Sequence, residues 1–152
     1  MVMSEYRISL QWSRNDGAFA RGNYAAGHEI RFSGGQVLRG GPAPDFAGDA
    51  ANANPEQLLL SALSSCHMLT FLAVAANRGY VVDRYDAAAV AVLGKNSAGR
   101  VAVLRATLSP RVSFSGDRQP TDEEYAALHA HAHAGCFIAN SVNTVVEVKP
   151  LR

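Results

Sequence analysis

Two thiols, one glutamate and a scatter of arginines and histidines are the residues of this chain whose types could do chemistry. Cys66 and Cys136 lie about seventy residues apart, and spacing of that kind does not say whether they meet. Their surroundings say more. Cys66 falls in an apolar stretch with Ser64 and Ser65 before it and His67 after it. A thiol in the middle of an apolar helix keeps its proton unless a cation stands close by, and only the thiolate is a nucleophile. Cys136 precedes Phe137-Ile138-Ala139-Asn140-Ser141-Val142, a short helical pattern whose dipole would lower a thiol pKa at its start.

Glu56 stands at the start of the same apolar stretch, where a carboxylate stabilises a helix dipole whether or not it has another role. It lies ten residues before Cys66, which is roughly 15 Å of helix rise. If both serve one site, the helix must pack against its copy in a second subunit, so that each site takes Glu56 from one chain and Cys66 from the other. A cation for the thiolate would come from Arg14, Arg21, Arg31 or Arg39, and spacing alone does not choose among them. His129 and His133 are one helical turn apart, with Cys136 three residues further on. With His67 or Cys66 they raise a zinc site. The alternation of histidine with alanine and the lack of a second spaced ligand pair count against it, and exposed helix histidines are expected instead.

These residues must be positioned by the stretch Asn54 to Gly79, which reads as one long helix. Asn54 is a good N-cap, Pro55 suits the first helical position, and Gln57 completes a capping box. Arg78 and Gly79 mark the end. Between Gln57 and Ala76 there is no charge, and a helix apolar all round is expected to be buried on all sides. The run is long enough to raise a membrane span. Ser61, Ser64, Ser65, His67 and Thr70 interrupt it and no Lys/Arg cluster flanks it, which favours a core helix covered by sheet or by a partner chain.

Before the helix, Tyr6 to Trp12 alternates as a strand does. Ser13 to Gly17 is a turn with the hairpin pair Asp16-Gly17. Ala18 to Ala25 and His28 to Phe32 read as further strands, making the N-terminal third an antiparallel meander. Ser33 to Ala53, rich in glycine, reads as a loop of about twenty residues without structure, either a surface crossover or a wall of a substrate site. After the helix come a second hairpin, around Gly94 to Gly99, a helix opened by the capping box Thr121-Asp122-Glu123-Glu124 and ending near Gly135, and a last strand from Thr144 to Val148. That order gives an α+β fold with antiparallel pairing.

At 152 residues this is one domain, expected to span 1–152. A net charge of +1 gives no electrostatic case for nucleic acid or an anionic membrane. The start, Met1 to Trp12, has no basic segment followed by an apolar core, so no secretory signal is expected. Two cysteines in a protein that is not exported suit thiols or a working redox pair better than a structural disulfide.

Asn54-Pro55-Glu56-Gln57-Leu58, the apolar run ending Ser65-Cys66-His67, and Ala132-His133-Ala134-Gly135-Cys136 resemble the OsmC/Ohr family of peroxide reductases, over nearly the whole chain. The resemblance implies antiparallel sheets wrapped around a long central helix, an intertwined homodimer with active sites at the subunit interface, a cytoplasmic location and no cofactor. It implies a thiol-dependent peroxidase acting on organic hydroperoxides and regenerated by a dithiol, for instance of lipoyl type, with no nucleic-acid or membrane partner. Carried over by motif, Cys66 matches the peroxidatic cysteine, Cys136 the resolving one, and Glu56 the glutamate that pairs with a catalytic arginine. Ser13-Arg14-Asn15-Asp16-Gly17 is similar to the Ohr branch's Gly-Gly-Arg-Asp-Gly turn, which points to Arg14, with Arg39 second. The OsmC branch's Arg-Phe-Glu-Gly segment corresponds to Asp45-Phe46-Ala47-Gly48, which lacks the arginine. The family's usual Pro-x-Ser after the second cysteine is Phe137-Ile138-Ala139 here, and His67 is unusual after the first. The chain thus resembles an OsmC-like side branch. The alternatives are a non-catalytic oxidant sensor or small-ligand binder of the same fold, and a His/Cys zinc protein.

Overall fold

The computed structural model describes residues 3–152; Met1 and Val2, at the start of the stretch read as carrying no secretory signal, lie outside them. The chain divides into two compact units, Met1–Leu58 and Leu59–Arg152.

In the first unit, strand β1 (Ile8–Gln11) pairs antiparallel with β4 (His28–Phe32), and β4 pairs antiparallel with β5 (Val37–Gly40). A separate ribbon joins β2 (Phe19–Ala20) to β3 (Asn23–Tyr24). The expected meander is therefore corrected. The turn Arg14–Gly17 closes as its residues demand, with Asn15 and Asp16 at φ 48° and 59° and the Gly17 N–H donating to the Arg14 carbonyl. Yet β1 leaves it to pair with β4, so the turn is local and the pairing is not. The glycine-rich stretch is also corrected, because it holds β5 and a 3-10 turn, Pro44–Phe46, rather than an unstructured loop. On the three-stranded sheet, Ile8, Leu10, Ile30, Phe32 and Leu38 share one face by register, and Ser9, Gln11, Glu29, Arg31 and Arg39 the other.

Helix α1 (Pro55–Asn77) starts at the expected cap: Asn54 Oδ1 accepts from the Gln57 N–H at 2.8 Å, and Gln57 Oε1 accepts from the Asn54 N–H at 3.0 Å. It ends through Gly79 at φ +75°, with the Gly79 and Tyr80 N–H groups donating to the Ala76 and Ala75 carbonyls. α1 is long and apolar enough to cross a membrane, but so is a core helix, and it buries a stripe at fourfold spacing: Leu63, His67, Phe71 and Ala75. Leu69, on another face, is 60% exposed in the single chain, so cover there would have to come from outside it, as the alternative of a partner chain expects.

The stripe packs within the second unit. Strands β6 (Val81–Lys95) and β7 (Val101–Ser115) form a long antiparallel hairpin; α2 (Asp122–Ala134) comes next; and β8 (Val145–Val148) returns beside β7. A helical crossover brings the chain back in the same direction, so β8 is parallel to β7, the one parallel strand pair in an α+β fold whose other described pairs are antiparallel as expected. Phe71 and Ala75 meet Tyr125, Leu128 and Ala132 of α2 and Tyr85, Val112 and Phe114 of the sheet. Leu63 meets Ala106 and Leu108 of β7, with Val146 and Val148 of β8 beside them.

Candidate active site

Cys66 precedes His67 of the buried stripe, so it points about 100° away around the helix axis and is half-buried. Ala62, Cys66, Leu69 and Thr70 share one helix face, because residues three and four apart are neighbours. With Ser65, Phe137 and Ile138 they line a cavity of about 380 Å³. Leu69 and Phe137 line it while staying 60% and 79% exposed. The Thr70 hydroxyl donates to the Cys66 carbonyl at 2.9 Å.

Cys136 reaches the same place by way of α2. The Thr121 capping box starts that helix and Gly135 closes it, its N–H donating to the His131 and His133 carbonyls. A Cβ on Gly135 would sit 3.1 Å from Thr70 Cγ2, a tight contact that any larger residue would relieve only by shifting Thr70 or the end of α2 a few tenths of an ångström. The next residue, Cys136, is 1% exposed. Both cysteines are free thiols, and Cys66 is near enough to Cys136 to help raise its pKa. The two residues expected to form the redox pair are thus neighbours.

The expected lowering of the Cys136 pKa is corrected. The residues after Cys136 form a single 3-10 turn, Ala139–Ser141, not a helix with a useful dipole. Burial dominates and pushes the thiol up; the Ala139 N–H, donating to Cys136 Sγ at 3.4 Å, works against this, and the Cys66 side chain adds to the rise.

The predicted cation and its glutamate lie in the first unit. Arg14 Nη1 donates to the Gly17 carbonyl at 3.0 Å, across its own turn. Glu56 is half-buried in the first turn of α1. The two form no ion pair among the described residues. Because α1 is unbroken, Glu56 stays roughly 15 Å from Cys66 along the axis. Arg39 stands opposite Glu29, which pairs with Arg31, and lines a first-unit cavity of about 430 Å³ with Trp12, His28 and Asn52. The lining of the Cys66 cavity carries no charged side chain.

The zinc reading is overturned: among the described residues no group of three His, Cys, Asp or Glu could hold a metal ion. His129 is not an exposed helix histidine either. It is buried and bonded to His67, Nε2 of His67 lying 3.0 Å from Nδ1 of His129. Sequence reasoning missed this pair. The signal was present in the spacing, since His67 shares the fourfold stripe of α1 and His129 falls one turn after Tyr125 on the buried face of α2.

This arrangement coincides with a known family. Residues 48–150 match the family model of the OsmC-like proteins, and the chain belongs to that family. A solved OsmC-like protein of unknown function from Vibrio cholerae is similar at 40% identity and TM-score 0.95, with 98% of this chain and 100% of that one covered. An organic hydroperoxide resistance protein from Elizabethkingia anophelis shares the fold at 17% identity and TM-score 0.72, covering 98% and 95% of the two chains. The organic hydroperoxide resistance protein OhrB of Bacillus subtilis does so at 19% and 0.69, covering 97% and 98%. No curated protein matches.

Proposed function

We propose that this OsmC-like chain is a thiol-dependent peroxidase that reduces organic hydroperoxides through Cys66 and Cys136. The observation that carries the reading is that Cys66 of α1, which lines an apolar cavity, neighbours Cys136 just past the end of α2, both being free thiols. The Cys66 thiolate attacks the terminal peroxide oxygen, the O–O bond breaks, and the alkoxide leaves as the alcohol after taking a proton. Cys66 becomes a sulfenic acid. Cys136 then attacks its sulfur, the disulfide forms and water departs, and an external dithiol, of lipoyl type or similar, restores both thiols by exchange. Ala62, Leu69, Phe137 and Ile138 favour an alkyl tail over hydrogen peroxide, because each apolar contact removes surface from water.

The charge that ionises Cys66 comes, in this reading, from Arg14 held by Glu56, with Arg39 the second candidate, and a homodimer in the cytoplasm completes each site with groups from both copies. The uncharged lining of the Cys66 cavity and the exposed apolar residues of the first unit support a second copy.

Replacing Cys66 by Ser is expected to abolish dithiol-dependent peroxide consumption; persistence of turnover rejects the assignment. Replacing Cys136 by Ser is expected to leave one turnover and a sulfenic acid on Cys66 that a dimedone probe captures. A wild-type protein whose Cys66 labels with oxidant while no peroxide is consumed catalytically would instead be a sensor.

A further inference from the structure

The peroxidase reading uses no histidine, yet the two most buried ones lie against the redox pair's supporting helices. His67 and His129 are 1% and 2% exposed. Their rings are parallel to within 3°, with centroids 5.4 Å apart. Phe71 stacks on the His129 ring at 4.3 Å and Tyr125 meets it edge-on at 4.7 Å. The 3.0 Å contact between Nε2 of His67 and Nδ1 of His129 takes one N–H and one lone pair. It leaves His67 Nδ1 and His129 Nε2 buried without protein partners among the described residues, as is His133 Nδ1. Each unpaired buried polar atom costs about 1–3 kcal/mol, whereas two apolar side chains of similar shape would avoid that cost. Stability alone therefore does not explain the pair. A buried polar contact of this kind fixes a geometry instead, as in the polar residues that set helix register.

The geometry it fixes is that of the two thiols. His67 is next to Cys66 on α1, and His129 lies on α2, which runs through Gly135 directly into Cys136. The second tie between these helices is the close approach of Gly135 to Thr70, one turn beyond Cys66. One tie is directional and the other steric, and both lie on the same side of the thiol pair, just after Cys66 on α1 and just before Cys136 at the end of α2. We infer that the His67–His129 hydrogen bond is a positioning device, setting α2 on α1 and thereby the gap that the Cys136 sulfur must cross to reach Cys66. This rests on the redox-pair reading above. The step it governs is closure: the Cys136 sulfur attacks the sulfur of the Cys66 sulfenic acid, the S–S bond forms, the S–O bond breaks, and the departing hydroxide takes the Cys136 proton to become water. The preceding attack on the peroxide is untouched, since Cys136 takes no part in it.

The experiment uses the full-length chain and His129→Leu, His129→Asn and the double variant His67→Leu/His129→Leu. Quenched-flow mass spectrometry with one equivalent of tert-butyl hydroperoxide separates sulfenic acid formation from disulfide closure. His129→Leu is expected to form sulfenic acid within about twofold of the wild-type rate and to close about tenfold more slowly, a modest loss on the scale of intramolecular positioning effects. His129→Asn, whose amide stands near the Nδ1 position, is expected to recover most of the closure rate, which a general loss of packing would not do. Equilibration with oxidised and reduced dithiothreitol gives the same comparison without peroxide, and the disulfide of His129→Leu is expected to be about tenfold easier to reduce. If His129→Leu does not fold, the double variant, which leaves no unpaired imidazole at this contact, carries both measurements. Closure and dithiothreitol equilibrium at wild-type values in a folded variant lacking the bond overturn the inference. If the wild type forms no sulfenic acid, the peroxidase reading fails, and the dithiothreitol equilibrium still decides the positioning role.

Discussion

The two units of this chain use the same apolar alternation and reach opposite results. In the second, Ala106 and Leu108 of β7 alternate toward α1 and are buried. In the first, Tyr6, Ile8, Leu10 and Trp12 alternate just as regularly along β1 and the residues flanking it, and every one is exposed. The ribbon is no different, with Phe19 66% exposed although its ring lies 5.8 Å from Trp12 and 5.3 Å from Tyr24. Alternation states which face of a strand wants cover; it does not state what provides it. The second unit finds its cover in α1 and α2, while the corresponding residues of the first unit stay exposed.

The strongest test of that contrast is a pair of truncations. Phe71 is fully buried and meets the rings of Tyr85, Phe114, Tyr125 and His129. Phe71→Ala is expected to lower unfolding stability by about 3–5 kcal/mol in urea titration. Phe19→Ala is expected to cost at most about 1.5 kcal/mol, the scale of exposed ring contacts. Equal losses would mean that Phe19 is covered in solution as thoroughly as Phe71.

The second unit also holds the buried imidazoles, so its stability is expected to fall in acid. A histidine in the unfolded chain gains its proton near pH 6.5. In the fold, burial first and the charge of His133 second hold His67 down to about 4, and burial first and His67 second do the same for His129. The unfolded chain therefore binds more protons between these limits. The contribution is complete above pH 6.5 and is lost as pH falls toward about 4. Tyr85 and Tyr125, the other titratable groups packed here, are pushed up by burial and stay neutral throughout. The double variant His67→Leu/His129→Leu is expected to flatten this limb in urea unfolding from pH 7 downward, and an unchanged limb would assign it to other groups.

Legibility obeys the same division between local and non-local. Both capping boxes, the Gly79 stop, the turn at Asn15-Asp16 and the placement of α1 were written in short stretches of sequence, because each depends on residues within one turn of each other. Strand partners were not. Nothing in Ile8–Gln11 says that it pairs with His28–Phe32 across the intervening ribbon, nor does Val145–Val148 say that it runs parallel to β7. The proximity of Cys66 and Cys136 came from family resemblance rather than spacing, and the His67–His129 bond required knowing that the buried faces of α1 and α2 meet. The raised Cys136 pKa was missed for a similar reason: a local helical pattern was weighed without the burial that outweighs it.

The homodimer reading gives the first unit a cover and predicts a smaller but specific effect. Leu10 lies 59% exposed in the single chain. If a second copy covers this face, Leu10→Asp is expected to shift the protein from dimer toward monomer in sedimentation velocity, at a cost of about 1.5–3 kcal/mol for the lost apolar burial. A wild type that sediments as a monomer removes the second copy from the argument and leaves the apolar face to another partner.

The least of the expected effects compares the two caps. At the end of the first unit, Asn54 accepts from the Gln57 N–H at 2.8 Å; in the second, Thr121 Oγ1 accepts from the Glu124 N–H at 3.2 Å. Both boxes are reciprocal, the Gln57 and Glu124 side chains accepting from the cap N–H groups at 3.0 and 2.9 Å. Replacing either cap residue by Ala removes one acceptor and costs about 1 kcal/mol. Thr121 is exposed, so water can take over the Glu124 N–H when the hydroxyl is gone. Asn54 is buried, and an N–H orphaned there pays desolvation that water does not return. Asn54→Ala is therefore expected to be the more costly of the two in urea unfolding. The reverse order would place solvent at the start of α1, where the single chain shows a buried cap.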